Sequence, residues 1–175
     1  RAKGFERAAE YSRARDGHAV LVMHDGEVVF EDYADGWNAD HAHPLASGTK
    51  SFTGVAAVLA EQRGLLTLDE RVSDTLEEWK DDPRKSRITV RQLLELSSGL
   101  QPDSPEGKAR VQAAAGKGDP RERIKALLSG RDDFFGQGAS APAEHEPGER
   151  FRYGANHFFA FGEFLQRRLT QRGEK

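Results

Sequence analysis

Leu45-Ala46-Ser47-Gly48-Thr49-Lys50-Ser51-Phe52-Thr53-Gly54-Val55-Ala56-Ala57-Val58-Leu59-Ala60-Glu61-Gln62-Arg63-Gly64 is the stretch on which the reading of this chain turns. Phe52, Val55, Ala56, Leu59 and Ala60 recur at helical spacing, and Gly64 stands where a helix C-terminal glycine belongs. The expected helix begins close to Ser47 and ends near Arg63. That places Ser47 and Lys50, three residues apart, on one face. The helix N-terminus is electrically positive and favours negative charge developing on a serine oxygen there. A serine attacks only when a neighbouring group takes its proton, and a lysine one turn on is such a group. The bare pattern Ser-x-x-Lys also arises by chance as a helix cap followed by a solvated lysine, so the surrounding sequence has to decide.

Working outward toward the N-terminus, Phe5, Ala8, Ala9 and Tyr11 give Lys3 to Arg15 one apolar helical face. His18 to Met23 and Glu27 to Tyr33 are β-rich runs separated by His24-Asp25-Gly26, a strong hairpin signal because glycine accepts the positive φ of tight turns. A polar loop over Ala34 to Pro44 leads to Ser47. Toward the C-terminus, Thr89 is the expected cap of a short helix through Leu96, which Ser97-Ser98-Gly99 ends. Gln101 to Gly118 reads as a surface excursion, helical around Lys108 to Ala115. Asp119-Pro120 starts a helix to about Ser129, with Asp as cap and Pro at the first helical position. Arg131 to Arg150 has little periodicity and is expected to be loop. A last helix runs from about Asn156 to Thr170, with Phe158, Phe161, Phe164, Leu165 and Leu169 as its apolar stripe.

Composition narrows the classes of function. The 175 residues are 37% hydrophobic and 31% charged, which suits a folded domain with its own core. The net charge of −3 comes with no basic stripe, so nucleic acid is not an expected partner. The apolar runs are too short for a membrane span. There is no cysteine, which excludes thiolate nucleophiles and Cys-based metal sites. Arg1 is not a natural start residue, so any targeting segment would lie out of view.

Three blocks give the serine its context. The first is the quoted stretch with its continuation Leu65-Leu66-Thr67-Leu68-Asp69-Glu70-Arg71-Val72. The second is Ile88-Thr89-Val90-Arg91-Gln92-Leu93-Leu94-Glu95-Leu96-Ser97-Ser98-Gly99-Leu100, and the third is Pro147-Gly148-Glu149-Arg150-Phe151-Arg152-Tyr153-Gly154. In this order and at these intervals they resemble the serine β-lactamase and penicillin-binding-protein superfamily, and within it the class C β-lactamase-like branch that also holds esterases and amide hydrolases. The resemblance spans roughly Gly17 to the C-terminus. It implies an α/β (α+β type) fold, with a mainly antiparallel sheet flanked by helices and a helical subregion between about Leu68 and Arg150. It also implies that Ser47 is the acylated nucleophile, Lys50 its proton-transfer partner and Tyr153 the tyrosine of the second motif. A tyrosine can serve there only if nearby positive charge lowers its pKa from about 10. The implied activity is a serine hydrolase acting on an ester or amide through an acyl-enzyme, with a small acyl molecule as substrate and no cofactor or metal. The resemblance favours a periplasmic or secreted setting, which the residues themselves leave open.

This chain departs from the family pattern in two places. The second motif is usually Tyr-x-Asn, but Ala155 occupies the asparagine position and Asn156 follows it, leaving Asn156 as the candidate substrate-binding residue. That asparagine helps β-lactamases hold the substrate's side-chain amide, so its displacement favours esters or other acyl groups over β-lactams. The third motif, a Lys-Thr-Gly or His-x-Gly sequence on a strand, does not occur after Tyr153. Residues 1–175 are therefore expected to be the N-terminal portion of a hydrolase domain, nearly inactive alone. The C-terminal strands would come from the same polypeptide or a second chain, since one oxyanion donor alone is worth on the order of 10²–10³ in rate. A β-lactamase, a penicillin-binding sensor that acylates without turnover, and a non-catalytic binding member of the fold are the alternatives.

Other residues carry less. His41-Ala42-His43 could chelate a metal, but as histidines on a loop they read as solvent-facing. His145 and His157 have no catalytic context, Ser98 and Gly99 read as a structural turn, and Trp37 and Trp79 read as packing or rim residues.

Overall fold

The computed structural model describes residues 2–43, 45–115, 119–128 and 133–173. The expected helix end at Ser129 and the start of the expected loop at Arg131 lie outside them. The chain divides into two compact units, Arg1–Pro44 and Leu45–Lys175.

In the first unit, helix α1 (Ala2–Arg13) is followed by strands β1 (Ala19–His24) and β2 (Glu27–Tyr33). The strands pair antiparallel, Ala19 with Tyr33 at one end and His24 with Glu27 at the other, with a bulge between Val22 and Met23. Asp25 and Gly26 take φ of 51° and 83° in the turn, the left-handed backbone that an Asp-Gly pair tolerates best. Helix α1 buries Ala9, packs Phe5 against Phe30 at 5.7 Å between ring centroids, and pairs Arg13 with Asp32. Leu21, Met23, Val28 and Val29 of the hairpin stay exposed.

The second unit is helical. A 3₁₀ turn at Ala46–Gly48 leads into α2 (Thr49–Gln62), and Gly64 has φ 65° just past its end. Short turns then lead to α3 (Val90–Leu94), α4 (Pro105–Ala115), α5 (Pro120–Leu128), α6 (Phe134–Ser140) and α7 (Asn156–Gln171). Thr89 caps α3 through a full capping box: its side chain accepts from the Gln92 N–H, and the Gln92 side chain accepts from the Thr89 N–H. Asp119 accepts the Arg121 N–H at 2.9 Å at the head of α5. The core joins Ala57 and Ala60 of α2 with Leu65, Leu66, Val72, Leu76, Trp79, Ile88, Val90, Leu93, Leu100, Ala139, Ala160, Phe161 and Phe164.

Three expectations change. Residues 134–140, expected as loop, form α6, capped by Asp133, whose side chain accepts the Gly136 N–H at 2.7 Å. This helix packs on α7 so closely that a Cβ on Gly138 would lie 2.4 Å from the Ala160 backbone nitrogen, a contact no side chain permits. Helix α4 begins at Pro105, earlier than expected. On α2 only Ala57 and Ala60 are buried, while Phe52, Val55 and Leu59 remain 63%, 59% and 47% exposed. The spacing found the helix, but its larger apolar side chains lie on an open face.

Ion pairs tie the last helix to the core. Arg167 grips Glu78 through two N–H donors at 2.8 Å each and also reaches Glu163 at 2.7 Å. The Arg167 hydrogen bonds, working against desolvation, hold the Glu78 carboxyl below its ordinary range. A carboxyl lowered by folding adds stability that is fully present above its unfolded pKa and lost as pH falls through the folded value. Glu78 is half exposed, so solvent screening keeps the term small. Urea unfolding followed from pH 6 to pH 3 should lose stability less steeply in Glu78→Gln than in the parent; equal slopes would assign the acid limb elsewhere.

Candidate active site

The turn that opens α2 presents Ser47. Its predecessor Ala46 has φ 47°, a left-handed backbone that an alanine adopts only at a cost of about 1–2 kcal/mol. Strain of this kind gathers at functional turns, where surrounding structure holds it. Ala46→Gly should leave stability unchanged or raised, because relief of that strain offsets the roughly 0.4–1 kcal/mol of extra unfolded-state entropy. Ala46→Val should destabilise, since a β-branched residue fits positive φ worst. Equal urea midpoints for the two variants would contradict the strain.

Lys50 lies in the first turn of α2, and its Nζ donates to Ser47 Oγ at 3.2 Å. The same ammonium stands 4.9 Å from the ring centroid of Tyr153 and 5.8 Å from that of Phe158. Tyr153 comes from the segment that enters α7 and is 54% exposed. Hydrogen bonding with Ser47, then with Lys50, and the Lys50 charge hold the Tyr153 phenol below its ordinary range; desolvation and the Asp103 carboxylate pull the other way. The two residues read from the Ser-x-x-Lys pattern and the tyrosine about a hundred residues later thus meet at one point.

Asn156 sits elsewhere. It is buried, its Nδ2 donates to the Gln101 carbonyl at 2.9 Å, and it borders a cavity lined also by Ser104, Arg110 and Gln137. Ala155, at the motif's asparagine position, receives a different support: its N–H donates to Asp103 Oδ1 at 2.9 Å.

A profile of the Beta-lactamase family matches residues 3–173. The chain belongs to the Beta-lactamase family. Members of this superfamily are generally serine hydrolases. Protein flp of Staphylococcus aureus strain MW2 is 26% identical over 160 residues, covering 86% of this chain and 29% of that protein. The chain therefore spans about 29% of the length of the curated relatives of that name. Among solved structures, a candidate beta-lactamase from Bacteroides dorei superposes with a TM-score of 0.66 at 19% identity, over 99% of this chain and 47% of the other. The octameric penicillin-binding protein homologue from Pyrococcus abyssi gives 0.59 at 22% identity, over 97% and 39%. These likenesses show the β-lactamase/transpeptidase-like fold.

Two residues near this Beta-lactamase-family site take places that the sequence reading does not assign them. Phe158 reads as core, yet it is half-buried with its ring toward Lys50. His157 is fully buried beside Ser98, with Nδ1 and Oγ 2.8 Å apart. Its register with Ala160, Phe161 and Phe164, at i+3, i+4 and i+7, was the available signal for burial. In the first unit, Trp37 stacks on His18 at 3.8 Å, and His18 Nδ1 lies 2.9 Å from His43 Nε2. Among the described residues no group of three or more His, Asp or Glu side chains is arranged to hold a metal ion, and no helix is long and apolar enough to cross a membrane.

Proposed function

We propose that this protein is a serine acyl hydrolase in which Ser47 is the nucleophile, Lys50 its proton-transfer partner and Tyr153 a second proton carrier. The observation that supports the reading is the convergence on Ser47: the Lys50 ammonium at 3.2 Å from its oxygen, and a tyrosine whose phenol is lowered by both. A lowered tyrosine spends more time as phenolate, the form that can accept the serine proton at neutral pH. In the forward step Ser47 Oγ bonds to the acyl carbon and its proton passes to Tyr153 or, when neutral, Lys50. That proton then goes to the leaving oxygen or nitrogen as the acyl bond breaks. Water repeats the sequence on the acyl-enzyme, releasing the acid and restoring Ser47.

In this reading the chain is the N-terminal portion of the hydrolase domain, and the remainder of the domain supplies the strand that carries the third motif. The exposed Phe52, Val55 and Leu59 face of α2 is consistent with a further apolar layer. Ala155 at the motif's asparagine position favours esters and other acyl groups over β-lactams.

The test is turnover by the intact protein of a chromogenic short-chain ester and of nitrocefin, each against Ser47→Ala. Ester hydrolysis that disappears in the variant is the expected result. Nitrocefin hydrolysis exceeding ester hydrolysis would overturn the substrate preference, and acylation without turnover would mark a sensor.

A further inference from the structure

We infer that His157 and Ser98 form a buried tie that holds Tyr153 in place for proton transfer, which makes His157 a positioning residue of the site. This rests on the Ser47–Lys50–Tyr153 reading above.

Both side chains are fully buried, with Ser98 Oγ and His157 Nδ1 2.8 Å apart. Ser98 Oγ also accepts the Leu100 N–H at 3.3 Å. Ser98 belongs to a turn in which Leu96 and Gly99 both have positive φ, at 59° and 82°. From this turn and the residues after it, bonds run to both sides of Tyr153. Ser97 O accepts the Gly148 N–H and Leu96 O the Arg152 N–H, each at 2.8 Å. Pro102 O accepts the Asn156 N–H, and Asp103 Oδ1 the Ala155 N–H, each at 2.9 Å. Gly154 lies so close to Pro102 that a Cβ would come within 2.2 Å of the Pro102 oxygen. Tyr153 is thus bracketed by residues fixed to the 96–103 segment. His157 adds the side-chain bond that joins the head of α7 to the same turn.

The chemistry of the pair argues against a purely structural role. His157 shares the buried stripe of Ala160, Phe161 and Phe164, where an apolar side chain would pack without a polar burden. Its imidazole is fully buried, so it is a costly core residue whose polar atoms need partners inside the protein. Burial pushes the ring's pKa below its ordinary value, and a hydrogen bond with the backbone of Arg152, the residue before Tyr153, opposes that shift. What the pair provides that a hydrocarbon does not is one fixed orientation. Small displacements of a reacting group are costly: about 1 Å can lose on the order of 10²-fold in rate.

The experiment follows the titration of Tyr153 in the intact protein by NMR with ring-labelled tyrosine, the resonance being assigned by its loss in Tyr153→Phe. His157→Phe and Ser98→Ala should move the Tyr153 midpoint upward by about one unit while leaving the urea midpoint at or above that of the parent. They should also slow fluorophosphonate acylation of Ser47 by roughly 10–100-fold. His157→Asn, whose amide falls near the place of Nδ1, should keep both the midpoint and the rate near those of the parent. An unchanged Tyr153 midpoint in the folded variants would overturn the tie. So would unfolding of both His157→Phe and Ser98→Ala, because the pair would then serve the core. A shifted midpoint in a protein whose Ser47 is never labelled would support the tie and remove the acyl-transfer reading. Labelling of Ser47 with no shift in any variant would do the reverse.

Discussion

Ser47→Ala is expected to abolish acyl transfer in the intact protein, with a fall on the order of 10⁶-fold, the scale found when a nucleophile that works as one unit with its base is removed. Lys50→Met should cost less, on the order of 10²–10⁴, because a positioned proton carrier contributes that much and the serine oxygen remains. The lysine change should also let the Tyr153 phenol rise, since Lys50 supplies both a hydrogen bond and the nearby positive charge that lower it. The double variant should be no slower than Ser47→Ala, because the groups act on one proton and their losses do not add. Pre-steady-state acylation with a chromogenic ester measures all three. A Lys50→Met protein that acylates at the parent rate would remove the lysine from the mechanism and leave it a helix-start cation.

The largest expected stability effect lies away from the site. Trp79 is among the largest fully buried side chains and joins elements 60 residues apart, its indole N–H donating to the Ala139 carbonyl at 2.8 Å. Trp79→Ala should cost about 3–5 kcal/mol, from lost burial and the cavity left behind. That is a large share of the roughly 5–15 kcal/mol that holds a domain folded. Trp79→Phe should cost less, because the ring volume is mostly kept and the Ala139 carbonyl still accepts from Lys85 Nζ at 3.3 Å. Urea denaturation separates the two, and equal losses would mean that the hydrogen bond outweighs the packing. Ala139 belongs to α6, so Trp79 also anchors the helix that the sequence does not announce.

That helix shows where sequence reading stops. Phe134 to Ser140 carries two glycines in seven residues and no apolar period, so neither its propensity nor its patterning calls for a helix. It forms because Asp133 caps it locally and because Gly138 lets it lie directly against α7, the second a consequence of tertiary packing. Elements with local chemistry were legible: the Asp25-Gly26 hairpin, the Thr89 cap, the glycine after α2 and the Asn156 start of α7. The burial of α2 was not, because periodicity identifies an apolar face without saying what covers it. Within the site, Ser47 and Lys50 are neighbours by helical spacing alone. Tyr153 needed the Pro147-Gly148 context, since nothing in spacing brings a residue so distant in sequence to Lys50. Ser98 and His157 were out of reach for a related reason. A serine in a turn and a histidine on a helix become a buried pair only when the fold closes, and the single local hint was the register of His157 with Ala160 and Phe161.

The most direct test of the account is site-specific labelling. The intact protein, treated with a fluorophosphonate and digested, should give one modified peptide containing Ser47, absent from Ser47→Ala and strongly reduced in Lys50→Met. Modification at another serine, or none at Ser47 in a folded protein, would contradict the assignment of Ser47 as the nucleophile.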